Sequence, residues 1–390
     1  MSKLQKLIQK LCPDGVEYKK LGELLDYEQP TKYIVESTDY DNSYNIPVLT
    51  AGQTFILGYT NENFGIYKAS LEIPTIIFDD FTTSFHWVDF DFKIKSSAMK
   101  MLRPKETFNG SFKYVYYAMK CIGYEAVDHS RHWISKYSQF EIPVPPTEIQ
   151  SEVVRILDNF TNLAAELQAE LQARQEQYEY YRNKLLSFSN INGGGYASVT
   201  WMKMSEIGDI CMCKRIMKDQ TNNIGGIPFY KIGTFGKGAD AYISRELYED
   251  YKSRFSFPIK GEILISASGT IGRTVVYDGK DAYFQDSNIV WLHNDEAKVL
   301  NRYLYHYYQI IEWNVEGGTI KRLYNNNLAK TKIAVPSLSE QERIVSILDK
   351  FESLTNDFSQ GLPAEIAAVQ EQYEYYRDKL LSFPRNKISA

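Results

Sequence analysis

Few residues in this 390-residue chain are spaced for bond-making chemistry. Residues 13–19, PDGVEYK, carry the letters of a PD…ExK nuclease site. That site draws its carboxylates from separate strands to hold a metal ion, whereas Asp14 and Glu17 share one short turn. Asp79 and Asp80 form an acidic pair, but no second pair appears in matching context. Cys12, Cys121, Cys211 and Cys213 are too few and too badly spaced for a disulfide framework. Cys211-x-Cys213 lacks the second pair of ligands that a zinc site needs. The thiols read as reduced, in a cytoplasmic protein. GTFGKG at 233–238 has the wrong order for a phosphate-binding loop, GTIGR at 269–273 lacks a dinucleotide fingerprint, and H-E-x-x-H is absent. N-P-P-Y and D-P-P-Y, which an adenine-modifying methyltransferase needs, are absent as well. The expectation is a chain with no catalytic residue, no metal site and no cofactor of its own, which binds rather than reacts.

What remains are polar loops of the kind that meet base edges or phosphates. In the second half, ISASGTIGR (265–273) sets Ser266, Ser268, Thr270 and Arg273 around a glycine-rich turn after a strand. GGTIKRLYNNN (317–327) offers Thr319, Lys321, Arg322 and Asn325. The corresponding loops of the first half are DDFTTSFHW (79–87), with Thr82, Thr83, Ser84 and His86, and DHSRHWISK (128–136), with Ser130, Arg131 and His132. The repeat alignment sets Arg131-His132 opposite Lys321-Arg322. Each also has a plainer reading. Thr82, Thr83 and Ser84 fit a polar turn, His86 beside Trp87 fits a packed ring, and the arginines fit phosphate contact, which positions without specifying.

The elements that must hold these loops repeat. Residues 175–188 read QEQYEYYRNKLLSF and residues 370–383 read QEQYEYYRDKLLSF, one change in fourteen positions. Each closes a long helical pattern. In the first, Val153, Leu157, Phe160, Ala164, Leu167, Leu171, Arg174, Tyr178, Tyr181 and Leu185 alternate steps of four and three, a heptad seam with one polar break. About forty helical residues span about 60 Å. AAELQAELQAR (164–174) is a tandem tetrapeptide, each unit adding about one helical turn. The second pattern, 339–383, opens on Ser339-x-x-Glu342, which fits a capping box, and Gly361-Leu362-Pro363 should break it. Tyr178, Tyr181, Tyr373 and Tyr376 fit either a core between the two helices or a docking face for a partner.

Ahead of each helix lies a mixed α/β block. The first has strand-like runs at 46–50, 54–57, 74–78 and 86–94 and a buried helix at 111–121. The second replays it: KLGELLDY (20–27) resembles KMSEIGDI (203–210), and Tyr114, Tyr116 and Tyr117 match Tyr303, Tyr305, Tyr307 and Tyr308. Three glycines at 193–195 mark a linker. No run of eighteen apolar residues and no signal-peptide core appear, so no membrane contact is expected. The net charge is −5, and by segment it is −2 for 1–145, −3 for 146–190, +3 for 191–335 and −3 for 336–390. A bound polyanion is therefore expected on the blocks, not along the helices.

This layout resembles the specificity subunit of type I restriction-modification enzymes. The carriers are CPDGVEYKKLGEL (12–24), IPVPPTEIQSEVVRILDNF (142–160), IAVPSLSEQERIVSILDKF (333–351) and the duplicated QEQYEYYR ends. The resemblance covers essentially the whole chain. It implies an α+β fold: target-recognition domains at 1–147 and 191–338 in a pseudo-two-fold arrangement, with helices at 148–190 and 339–390 paired antiparallel as a coiled coil. Each domain would read one half of a split site on double-stranded DNA, and the helices would set the spacer. Two modification subunits would dock near the helices and bring S-adenosylmethionine. A restriction subunit would bring ATP-driven translocation and cleavage, with Mg. Against this stand a coiled-coil scaffold that binds only proteins and a stand-alone nuclease, the latter lacking its metal-carboxylate cluster.

Overall fold

The computed structural model describes residues 3–52, 54–126, 130–188, 199–318 and 321–386. The glycine run 193–195 lies outside them. Two compact units result, one of Met1–Glu166 with Ile366–Ala390 and one of Leu167–Glu365.

Both units are built on the same plan. In the first, Leu25–Glu28, Met99–Pro104, Thr75–Asp79 and Phe85–Val88 lie side by side in an antiparallel sheet. In the second, Gly208–Cys211, Ile289–Asn294, Ile263–Ser266 and Thr274–Val276 repeat that order. A three-stranded sheet accompanies each. Ile46–Leu49 sits between antiparallel Ile56–Thr60 and parallel Lys93–Ile94. Ile227–Tyr230 sits between antiparallel Tyr242–Ile243 and parallel Tyr283–Phe284. A two-stranded ladder closes each unit, Glu17–Lys20 with Glu141–Val144 and Thr200–Lys203 with Lys332–Val335.

The sequence explains why these central strands read as unbroken apolar runs. Ile76 and Phe78 face one core of the first unit while Ile77 faces another. Ile263 and Ile265 face one core of the second unit while Leu264 faces another. A strand covered on both sides has no polar face to show. The run 86–94 is not one strand. It breaks after Val88 and resumes at Lys93, which carries the chain from the four-stranded sheet into the three-stranded one.

The aromatic helices Phe112–Met119 and Asn301–Tyr308 tie each sheet to a rod. Ser111 caps the first by accepting from the Tyr114 amide. Tyr114 and Tyr303 donate their hydroxyls to the carbonyls of Pro143 and Ala334. Gln150 and Gln341, both buried, repeat one latch. The Gln150 side chain accepts from the Ser111 amide at 2.8 Å and donates to the Pro145 carbonyl at 2.7 Å. Gln341 accepts from the Leu300 amide at 2.9 Å and donates to the Pro336 carbonyl at 2.9 Å. Buried carboxamides survive because both ends are satisfied.

Thr147–Leu186 is one helix of 40 residues. Its partner is split into Leu338–Asn356 and Leu362–Leu380, as Gly361 and Pro363 require. A Cβ at Gly361 would lie 2.6 Å from the Ser353 carbonyl oxygen and 2.7 Å from that of Leu354. The expected capping box is not formed. The helix begins two residues earlier than a cap at Ser339 would set, Ser337 takes the cap position, and its hydroxyl meets that of Ser339 instead. Pairing is antiparallel within each unit. In the first, Val153 and Leu157 share a core with Leu380 and Leu381, and Phe160 stacks on Tyr376. In the second, Leu185 and Leu186 share a core with Ile344 and Leu348, and Tyr181 stacks on Phe351. The fold is α+β: two similar mixed domains joined to long antiparallel helices.

The C-terminal segment returns to the start of the chain. The Val16 amide donates to the Pro384 carbonyl, Tyr18 donates to the Phe383 carbonyl at 2.7 Å, and the Asn386 amide donates to the Val16 carbonyl. Gly15, at φ 102°, permits this approach, since a Cβ there would sit 2.4 Å from the Pro384 oxygen. Among the described residues, no helix is long and apolar enough to cross a membrane.

Candidate nucleic-acid interface

Each unit brings its two polar loops together at the end of its central strand. In the first unit the joint is Asp80. Its backbone oxygen accepts from the His132 amide at 2.9 Å, and its side chain accepts from the Trp133 amide at 2.8 Å. Its carboxylate also pairs with Lys100 at 2.9 Å, both side chains 1% exposed. The two amide bonds join the loops, and Lys100 neutralises the buried carboxylate, so Asp80 fixes loop geometry. Asp79 accepts from the amides of Phe81 and Thr82, which folds the first loop into a tight turn.

On that turn Thr82 is exposed and its hydroxyl lies 2.5 Å from that of Ser84, itself partly exposed. Thr83 is buried at a φ of 59° and donates to the Thr82 carbonyl. His86 is half-buried against Phe55, with Nε2 3.1 Å from the Gly52 carbonyl oxygen. Burial is the largest reason that its basicity falls below the ordinary histidine value. In the second loop Ser130 and Arg131 are exposed, whereas His132 is fully buried with Nδ1 3.1 Å from the Tyr124 hydroxyl.

The second unit repeats the joint with different side chains. The Leu323 amide donates to the Ala267 carbonyl at 2.9 Å, in the same place as the bond from His132 to Asp80. These two bonds correct the repeat alignment by one residue: Arg131 corresponds to Arg322, and Ser130 to Lys321. Ser266 is buried. Its hydroxyl accepts from the Arg273 amide at 2.9 Å and so closes the 266–273 turn. Thr270 is exposed and accepts from Arg273, whose other nitrogen reaches the Phe235 carbonyl. Ser268 donates to Asn288. Lys321 is exposed, and Asn325 is partly exposed at the start of Asn325–Lys330. Thr319 lies outside the described residues.

The loops thus separate into two sets. Thr83, His132 and Ser266 turn inward and shape the backbone. Thr82, Ser84, Ser130 and Arg131, and in the second unit Thr270, Lys321 and Asn325, present donors and acceptors to solvent. Sequence cannot distinguish a serine that reads a ligand from one that closes its own turn, because both sit just past a strand.

The tyrosines of the repeated helix ends separate in the same manner. Tyr178 and Tyr373 pack inward, against Phe351 and Tyr117. Tyr181 and Tyr376 stack on Phe351 and Phe160 and remain 36% and 40% exposed. The open rings are Tyr180 and Tyr375, at 59% and 60%, which lie off the heptad seam. Their recurrence in both copies was the available signal.

One carboxylate-histidine cluster exists among the described residues: ligand atoms of His306, Asp349 and Glu352 lie within 4.8 Å of one another. Arg302 already stands there, bonded to Asp349 at 2.7 Å and to Glu352, while Tyr305 donates to Glu352. A guanidinium fills the place a metal ion would take.

The sequence profile of the type I restriction modification DNA specificity domain matches this chain twice, over residues 13–176 and 198–368. The chain belongs to that family. It is 42% identical over 411 residues to the EcoR124I/EcoR124II specificity subunit of Escherichia coli, covering 99% of this chain and 98% of that one. It is 46% identical over 381 residues to a Haemophilus influenzae protein named as a type I restriction enzyme specificity subunit, covering 94% and 96%. Its fold matches the crystal structure of a Mycoplasma genitalium type I S subunit with a TM-score of 0.56 at 13% identity, over 94% of this chain and 96% of that one.

Proposed function

We propose that this chain is the DNA-reading subunit of a type I restriction-modification complex. Each unit reads one half of a bipartite duplex site with its paired loops, and the antiparallel helices fix the spacing between halves. The observation that carries this is the duplication itself: one sheet order occurs twice, while the loops at the matching strand ends carry different side chains. A two-headed reader needs a common frame and separate chemistry.

Modification subunits, one on each repeated helix end, dock against the open tyrosines and supply adenine methylation with S-adenosylmethionine. A restriction subunit supplies ATP- and Mg-dependent translocation and cleavage. The chain itself performs no reaction and works in the cytoplasm, on DNA and protein partners alone. The test is co-expression with the modification subunits followed by mapping of methylated adenines. One split sequence with a fixed gap is expected, and methylation without sequence preference would overturn the reading.

A further inference from the structure

Resting on that reading, we propose that Asn325 and Asn326 are the residues of the second unit that read an adenine in its half-site, with Tyr324 as the apolar wall beside them. Arg322, the more obvious DNA contact, is a strut.

Arg322 is held by its backbone and by one guanidinium nitrogen, Nη2. Its amide and carbonyl bond Glu316 at 2.8 and 3.0 Å. Its guanidinium donates to the Ser287 carbonyl at 3.0 Å, the Ser287 hydroxyl at 2.8 Å and the Asn288 side chain at 3.1 Å. Asn288 is itself held by Ser268. Asn327 is likewise committed, donating to the Asn314 carbonyl and to Glu316.

Between these fixed residues, the side chains of Asn325 and Asn326 make no hydrogen bond within the described residues, and Tyr324 is 48% exposed. With Met212, Ser287 and Arg322 they line a cavity of about 400 Å³. A carboxamide offers one donor and one acceptor at the spacing of adenine N6 and N7, and a neighbouring apolar surface suits the thymine methyl group. The first unit presents different chemistry at the same backbone address. There Ile134 is 58% exposed, and Ser135 spends its hydroxyl on the Arg131 carbonyl. The two units therefore part company where the loop is best anchored and its side chains are least engaged.

The experiment selects bound duplexes from a pool randomised across both half-sites, using the chain assembled with its modification subunits. Asn325→Ala/Asn326→Ala is expected to lower adenine preference at one position of the second half-site by about 5- to 150-fold, leaving the first half-site and the gap unchanged. Asn326→Asp, which keeps the shape and exchanges a donor for an acceptor, is expected to move preference toward cytosine. If the double variant loses all selection, the Asp variant decides. Unchanged adenine preference in both variants overturns the proposal. If the unmutated complex selects no bipartite sequence, the broader reading fails instead.

Discussion

The buried His306 ring sets Nε2 2.7 Å from Asp349 Oδ1 and Nδ1 3.2 Å from the Tyr178 hydroxyl. One side chain thereby links the aromatic helix of the second unit to both rod segments in that unit. In the first unit Tyr117 takes the equivalent place and donates to Asp158 at 2.5 Å. Burial works to raise the Asp349 carboxyl, but the bonds from His306 and Arg302 outweigh it and hold it below its ordinary value. His306→Phe keeps a ring of similar size and removes both bonds. It is expected to cost about 1–3 kcal/mol, read as a lower denaturant midpoint of the full chain. A midpoint unchanged by the substitution would show that packing alone holds the joint.

Acid sensitivity should centre on Glu152. Its side chain is 4% exposed and bonded by Arg155 and by Lys3 at 2.8 Å. Those bonds, Arg155 first, lower its pKa from 4.5 to about 2. A carboxyl depressed on folding stabilises fully above its unfolded value, and that contribution is lost as pH falls toward the folded one. Between pH 4.5 and about 2, wild type should therefore lose stability more steeply than Glu152→Gln. Parallel midpoint-against-pH curves for the two would exclude the assignment.

At the break between the distal helix segments, Gly361→Ala should push a methyl group into the Ser353, Leu354 and Asp357 carbonyl oxygens. The expected loss is about 1–3 kcal/mol. Gly233→Ala, where nothing lies within 4 Å, serves as the control and should be neutral or slightly stabilising. Equal thermal midpoints for the two variants would mean that the break tolerates a side chain.

Deleting one tetrapeptide, Gln168 to Leu171, removes about one helical turn, or about 6 Å. The gap in the methylated sequence should shorten by one or two base pairs, at about 3.4 Å each. An unchanged gap would count against the helices as a ruler.

The rods and the duplicated domains were legible because long-period signals survive averaging. The heptad seam from Val153 to Leu185 comes out buried or half-buried except for Tyr181, and the aromatic helices fall where the tyrosines cluster. Short-range details were not. Ser339 yields the cap position to Ser337 because the chain enters the helix two residues early. Arg131 aligns with Arg322 because a backbone bond, invisible in letters, sets the register. Thr83 and Ser266 read as ligands in sequence, whereas in the structure the Thr83 hydroxyl donates to the Thr82 carbonyl and the Ser266 hydroxyl accepts from the Arg273 amide, since a hydroxyl satisfies its own loop as readily as a base.

The second unit occupies one unbroken span of polypeptide, while the first recruits the last twenty-five residues of the chain, with Val16 clasped by Pro384 and Asn386. A nascent chain leaving the ribosome holds every part of its later-made unit before it holds every part of its earlier-made one. Any product truncated before Ile366 leaves the first unit without its closing segment, so the first unit cannot be completed until the distal helix has been made.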